Sequence, residues 1–160
     1  MLEQLLKIIT SMVPKKKNKI SLIIQEGKLK SLYPDSKVIR NKEKRIKWEC
    51  NIQPTPLSGN YKVQLVYETG KGVEVFIKEP FPLKLAENTT KLPHVYSTEK
   101  QRLCLYYPTT REWHYGQLYT DTIIPWTCEW LAHYEIWVST GVWFGGGIHI
   151  ETEKKDDRKE

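Results

Sequence analysis

No stretch of about 18 consecutive apolar residues occurs in the 160-residue chain, so the sequence offers no membrane-spanning helix. Cysteine is scarce. The three residues Cys50, Cys104 and Cys128 are odd in number and lack CxxC spacing, which argues against a disulfide framework or a structural zinc site. The glycine run Gly145–Gly147 is not followed by the Lys-Ser/Thr of a phosphate loop and does not open a helix in a βαβ unit, so it makes a poor nucleotide site. Its better readings are a close backbone approach, a flexible connector, or a seat for an incoming peptide tail. RNA-binding signatures and internal repeats are missing as well. The apolar residues near the start are interrupted by Glu3, Gln4 and Lys7, and the basic cluster Lys15–Lys19 follows them. A secretory signal has the opposite order, so a cytoplasmic protein is expected.

What remains is an ordinary globular composition, with 39% hydrophobic and 28% charged residues. The length fits one domain with a sizeable core. The net charge of +6 comes largely from Lys15–Lys19 and from the cationic residues between Lys28 and Lys47. A solvated lysine-rich face explains it better than a nucleic-acid surface. Three segments are expected: an N-terminal helix and basic linker over 1–18, a folded domain over 19–150, and a disordered charged tail over 151–160.

Leu2, Leu5, Leu6, Ile9, Met12 and Val13 fall at helical spacing, and Pro14 ends the run. A second helix is expected over 19–33, weakened by Gly27. Four strands are expected near 37–41, 45–53, 61–68 and 73–78. Alternation places Tyr61, Val63, Leu65 and Tyr67 on one face, and Val73, Val75 and Ile77 on one face. The connections hold turn residues: Pro54, Pro56, Ser58 and Gly59, then Thr69 to Gly72. The segment 93–113, PHVYSTEKQRLCLYYPTTREW, lacks sustained periodicity, and within it Leu103–Tyr107 offers a short strand. A helix then opens near Thr120 and Asp121, tolerates Pro125 in its first turn, carries the stripe Ile123, Trp126, Trp130, Tyr134, Trp137 and Val138, and stops at Gly141. Core packing is the preferred reading of that stripe.

Cys104 is the residue with the clearest chemical use, since a thiolate is a strong nucleophile. It stands ten residues after His94 and nine before Trp113. Lys100 and Arg102 are near enough in sequence to favour its thiolate. Cys50 and Cys128 read as small apolar packing residues.

The order helix, four antiparallel strands, Pro-containing turn (KEPFPLKL), cysteine segment and helix resembles the ubiquitin-conjugating enzymes over about residues 19–140. That family has a His-Pro-Asn motif whose His precedes the catalytic Cys by ten residues, as His94 precedes Cys104. It often carries a Trp about eight residues after the Cys, on the loop beside the site, where Trp113 lies nine after Cys104, and then a helix, matching Thr122–Val138. The resemblance implies an α+β fold with a four-stranded antiparallel sheet flanked by helices. It further implies a thioester on Cys104, a groove for an extended C-terminal tail shaped by Trp113, and no cofactor or metal.

Two features depart from the motif: Pro93 precedes His94 instead of following it, and Tyr96 stands where the family keeps its Asn. Tyr96 either donates its hydroxyl in place of the amide or packs. His94 is either a general base or, preferably, a structural residue bonding the loop. His114 is a second candidate proton carrier, while His133 and His149 have no evident task. Cys104, His114, Cys128 and His133 are zinc-ligand types but lack close ligand pairs.

The C-terminal block YEIWVSTGVWFGGGIH resembles a bacterial branch found in cyclic-oligonucleotide anti-phage defence operons. There, conjugation targets or primes a cyclic-nucleotide synthase. The chain shows no adenylation domain, as in the short operons of that kind. The implied partner is a protein substrate, with the C-terminus of such a synthase as the candidate acyl donor. A homodimer stays open. The competing readings are a catalytically silent binding module of the same fold and, more weakly, a basic nucleic-acid-binding domain.

Overall fold

The computed structural model describes residues 18–146. The expected helix over 2–13, the tail over 151–160, Gly147 and His149 lie outside the described residues. Helix α1 (Leu22–Leu32) leads into strands β1 (Lys37–Asn41), β2 (Arg45–Ile52), β3 (Tyr61–Glu68) and β4 (Gly72–Glu79). After an irregular passage come β5 (Val95–Ser97) and β6 (Arg102–Leu103), and then helix α2 (Ile123–Thr140). Among the described residues no helix is long and apolar enough to cross a membrane.

The sheet corrects the expectation of four strands. It has six, all antiparallel, in the order β1-β2-β3-β4-β6-β5. The four longer strands fall where alternation predicts them, and β3 alternates buried and half-buried along its whole length. The two extra strands are three and two residues long, too short for a period of two to register. They form a small hairpin added to the free edge of β4, with Phe76 opposite Arg102 and Val95 opposite Leu103. This added hairpin carries the chain from His94 to Cys104.

Inward-facing side chains meet across the ladders: Trp48 lies opposite Leu65, Leu65 opposite Val75, and Val63 opposite Ile77, all of them buried. Such cross-strand pairs fix register, because a slip of one residue would turn this face to water. Helix α1 buries Leu22, Gln25 and Leu29 and leaves Ile23, Ile24 and Leu32 exposed. Gln25 holds a core position because its amide ties down a distant loop, donating to the Gln117 carbonyl at 2.9 Å and accepting from the Tyr119 N–H at 3.0 Å.

Helix α2 begins two to three residues later than expected, with Thr122 as N-cap and no side-chain cap, while Thr120 and Asp121 lie in the preceding turn. Pro125 therefore occupies the first turn, where an N–H has no helical acceptor to lose. Gly141 ends the helix in the left-handed conformation (φ 74°), its N–H donating to the Trp137 carbonyl at 2.7 Å. Ile123, Trp130, Tyr134 and Trp137 join the core. Glu135 fastens the helix to the β2–β3 loop by accepting from Ser58 Oγ, Gly59 N and Tyr61 Oη at 2.7–2.9 Å.

Gln101 secures the added hairpin. It is 1% exposed, and its amide donates to the carbonyls of Ile77 (2.8 Å) and Pro80 (3.1 Å) while its oxygen accepts from the Leu83 N–H. Its backbone carbonyl also accepts from Ile77 N at 3.1 Å. Gln101→Leu would strand three polar backbone atoms in the core. The expected loss is about 2–3 kcal/mol, or roughly 4–12 °C in Tm, measurable by thermal denaturation.

Candidate functional site

Cys104 follows β6 directly and is partly exposed. Its backbone N–H donates to the His94 carbonyl at 3.0 Å, which closes the β5–β6 hairpin beneath the thiol. The sulfur makes a long contact of 3.8 Å with the Tyr106 carbonyl. Burial raises the thiol pKa of Cys50 and of Cys128. A raised pKa suits packing and opposes a nucleophilic role.

His94 adopts positive φ (47°), uncommon for a residue with a side chain. Its carbonyl accepts from both Cys104 N and the Trp130 indole N–H, the latter at 3.2 Å, so one peptide group joins the hairpin to α2. The imidazole lies against Trp143, with ring centroids 5.0 Å apart. The bond from His94 to the Cys104 residue thus runs through its backbone.

Tyr96 brings its hydroxyl within hydrogen-bonding reach of the Cys104 thiol. Partial burial and this hydrogen bond push its pKa up to about 12. The sign fits a phenol that keeps its proton and donates it toward a thiolate. The Arg102 guanidinium sits over the Tyr96 ring, 4.6 Å from the centroid, and pairs with Glu74 at 3.0 Å. Lys100 lies in the exposed turn between β5 and β6, its N–H bonded to Ser97 Oγ.

Two cavities flank the segment that follows β6, and Leu105 and Tyr106 line both. The first, of about 510 Å³, contains Cys104 and His94 in its lining and reaches across α2 to Gly145 and Gly146. The second, of about 360 Å³, is lined by Tyr96, Arg102, Trp113 and His114. The expected site residues are therefore divided: Cys104 and His94 on one side, Trp113 and His114 on the other, with Tyr96 lining the second cavity.

Trp113 is held by Tyr106, Tyr115 and Tyr119, with centroids 5.0–6.3 Å apart. His114 is occupied by its own turn: its Nδ1 accepts from Gly116 N at 3.1 Å and its N–H donates to Gln117 Oε1 at 2.9 Å. Gly116 is required there, since a Cβ would come within 2.9 Å of the Asn18 carbonyl. Among the described residues no three His, Cys, Asp or Glu side chains group to hold a metal ion.

The sequence reading did not single out the α2 wall of the first cavity. Trp126, Glu129, Trp130 and His133 all line it. Their positions i, i+3, i+4 and i+7 define one helical face, which was the available signal. Trp143 completes the wall, packed on Trp130 and His133 with centroids 5.9 and 5.6 Å apart. Gly145 approaches so closely that a Cβ would lie 2.7 Å from the Trp143 indole nitrogen.

A family model described as E2-CBASS, Type II CBASS E2 protein, matches residues 25–150. No curated protein matches the chain.

Proposed function

The chain belongs to the type II CBASS E2 protein family, and from that premise we propose that Cys104 carries an acyl group as a thioester and passes it to a target. Membership makes it a component of CBASS anti-phage defence, acting with other CBASS proteins. The finer reading is that of a ubiquitin-conjugating-type acyltransferase. The observation that supports it is Cys104 itself: a partly exposed thiol in the wall of a formed cavity, on a hairpin pinned by His94, with a protonated Tyr96 beside it.

The donor is the C-terminal carbonyl of a protein, with the cyclic-oligonucleotide synthase of the same operon as the candidate. The carbonyl reaches Cys104 already activated by a partner, as an acyl adenylate or a thioester; Cys104 Sγ attacks it, AMP or the partner's thiol leaves, and the new thioester divides one difficult acyl transfer into two easier ones. The Tyr96 hydroxyl supports negative charge first on the thiolate and then on the tetrahedral oxygen. Trp113 and His114 wall the second cavity, where Lys71 and Arg102 add positive charge, and this cavity receives the extended tail. A silent binding module of the same architecture is the second reading, favoured by Tyr96 standing in the Asn position.

Cys104→Ser separates the two. Co-expressed with the neighbouring CBASS proteins, the variant should accumulate an ester-linked adduct that alkali cleaves. A stable complex with no adduct, in wild type and variant alike, would leave only the binding module.

A further inference from the structure

The two cavities differ in charge. In a chain with 25 lysines and arginines against 19 acidic residues, the described lining of the Cys104 cavity contains Glu112 and Glu129 and no lysine or arginine. One wall is aromatic, built from Trp126 and Trp130 of α2 and from Trp143 beyond its end. Carboxylates beside indole faces form an environment that selects a cation.

Glu129 and His133 are one helical turn apart, with Nε2 of His133 3.9 Å from Oε1 of Glu129. That gap exceeds a hydrogen bond, yet a single N–H-bearing group fits between the two atoms at about 2.8 Å from each. Trp143 packs on the His133 ring, and Nδ1 is buried with no hydrogen-bond partner among the described residues. Nε2 is therefore the imidazole atom left to exchange a proton.

We propose that this cavity is the acceptor site: it binds a lysine ammonium between Glu129 and His133, and His133 Nε2 takes the proton that frees the amine for attack. The proposal rests on the thioester reading and assigns Glu129 and His133 to its acceptor side. The freed nitrogen forms a bond to the thioester carbonyl and the carbon–sulfur bond breaks. Of the two protons the nitrogen loses, one neutralises the departing Cys104 thiolate and the other leaves through His133 to water. The products are an amide and the free thiol. Glu129 orients and holds the ammonium. A positioned proton acceptor of this kind contributes about 10²–10⁴ in rate.

The test loads the purified protein with a synthetic peptide ending in a C-terminal glycine thioester, isolates the acyl-enzyme and chases it with either L-lysine or hydroxylamine. Hydroxylamine is already neutral at neutral pH and needs no base to free its nitrogen for attack. His133→Gln should acylate normally, discharge to lysine about 10²-fold more slowly and discharge to hydroxylamine at the wild-type rate. Glu129→Gln should raise the lysine concentration needed for half-maximal rate and leave hydroxylamine unaffected. Wild-type discharge to lysine by His133→Gln, or equal slowing with both amines, would overturn the proposal. Failure of the wild type to acylate at Cys104 would refute the thioester reading itself, and the acceptor site with it.

Discussion

Cys104→Ala will reduce conjugation to background while leaving stability within about 0.5 kcal/mol of the wild type. Both halves follow from how the residue is held. The bond that fastens residue 104 to the hairpin is made by its backbone N–H to the His94 carbonyl, and alanine keeps it. The sulfur contributes a 3.8 Å contact to the Tyr106 carbonyl, at a partly exposed position. Neither other cysteine substitutes for it, since burial disfavours the thiolate at Cys50 and Cys128. Adduct formation on gels together with a thermal melt reads both quantities. A collapse in Tm would instead make Cys104 a packing residue.

Tyr96→Phe should slow acyl transfer by about 10²–10³. The ring and its contact with Arg102 survive this change, and only the hydroxyl is lost. Because that pKa is pushed up to about 12, the phenol remains a donor throughout the neutral range, so the loss should be the same across it. Single-turnover rates of thioester formation and discharge measure it, with the melting temperature as control. A silent Tyr96→Phe would assign the residue to packing and leave the negative charge to other donors. Gln101→Leu offers a contrast, because it lowers stability and loosens the hairpin without touching the thiol.

The parts of the molecule legible in the sequence are those with enough residues to show a period. YKVQLVYE displays its alternation over eight residues and forms β3 where expected. The apolar stripe of α2 likewise revealed a helix, although Thr120 and Asp121 misled its start by resembling caps. The short strand expected over 103–107 forms only at Arg102–Leu103, and the rest of the β5–β6 hairpin was hidden because its strands are too short for a pattern and its corners use positive φ at His94 and Gln101, residue types that announce no turn. Gln25 and Gln101 are polar residues in core positions, which periodicity counts as solvent-facing. Each is there to satisfy the backbone of a segment remote in sequence.

At the site, the spacing of His94 and Cys104 was readable because a single hairpin carries both. Trp113 and His114 were grouped with the thiol through the family resemblance, and they line the cavity next to the one that holds Cys104. Glu129 and His133 were obscured by the tryptophans between which they stand. That helical face serves the core through Trp130 and lines the cavity with Trp126, Glu129, Trp130 and His133 together.

Thioester carriage on Cys104 is tested most directly by intact-protein mass measurement. The protein would be co-expressed with its CBASS neighbours and purified without reducing agent in mild acid. The predicted result is a mass increase equal to one partner chain less one water, mapping to Cys104, removed by added thiol and missing from Cys104→Ala. An unmodified mass for a protein that nonetheless copurifies with those partners would contradict it.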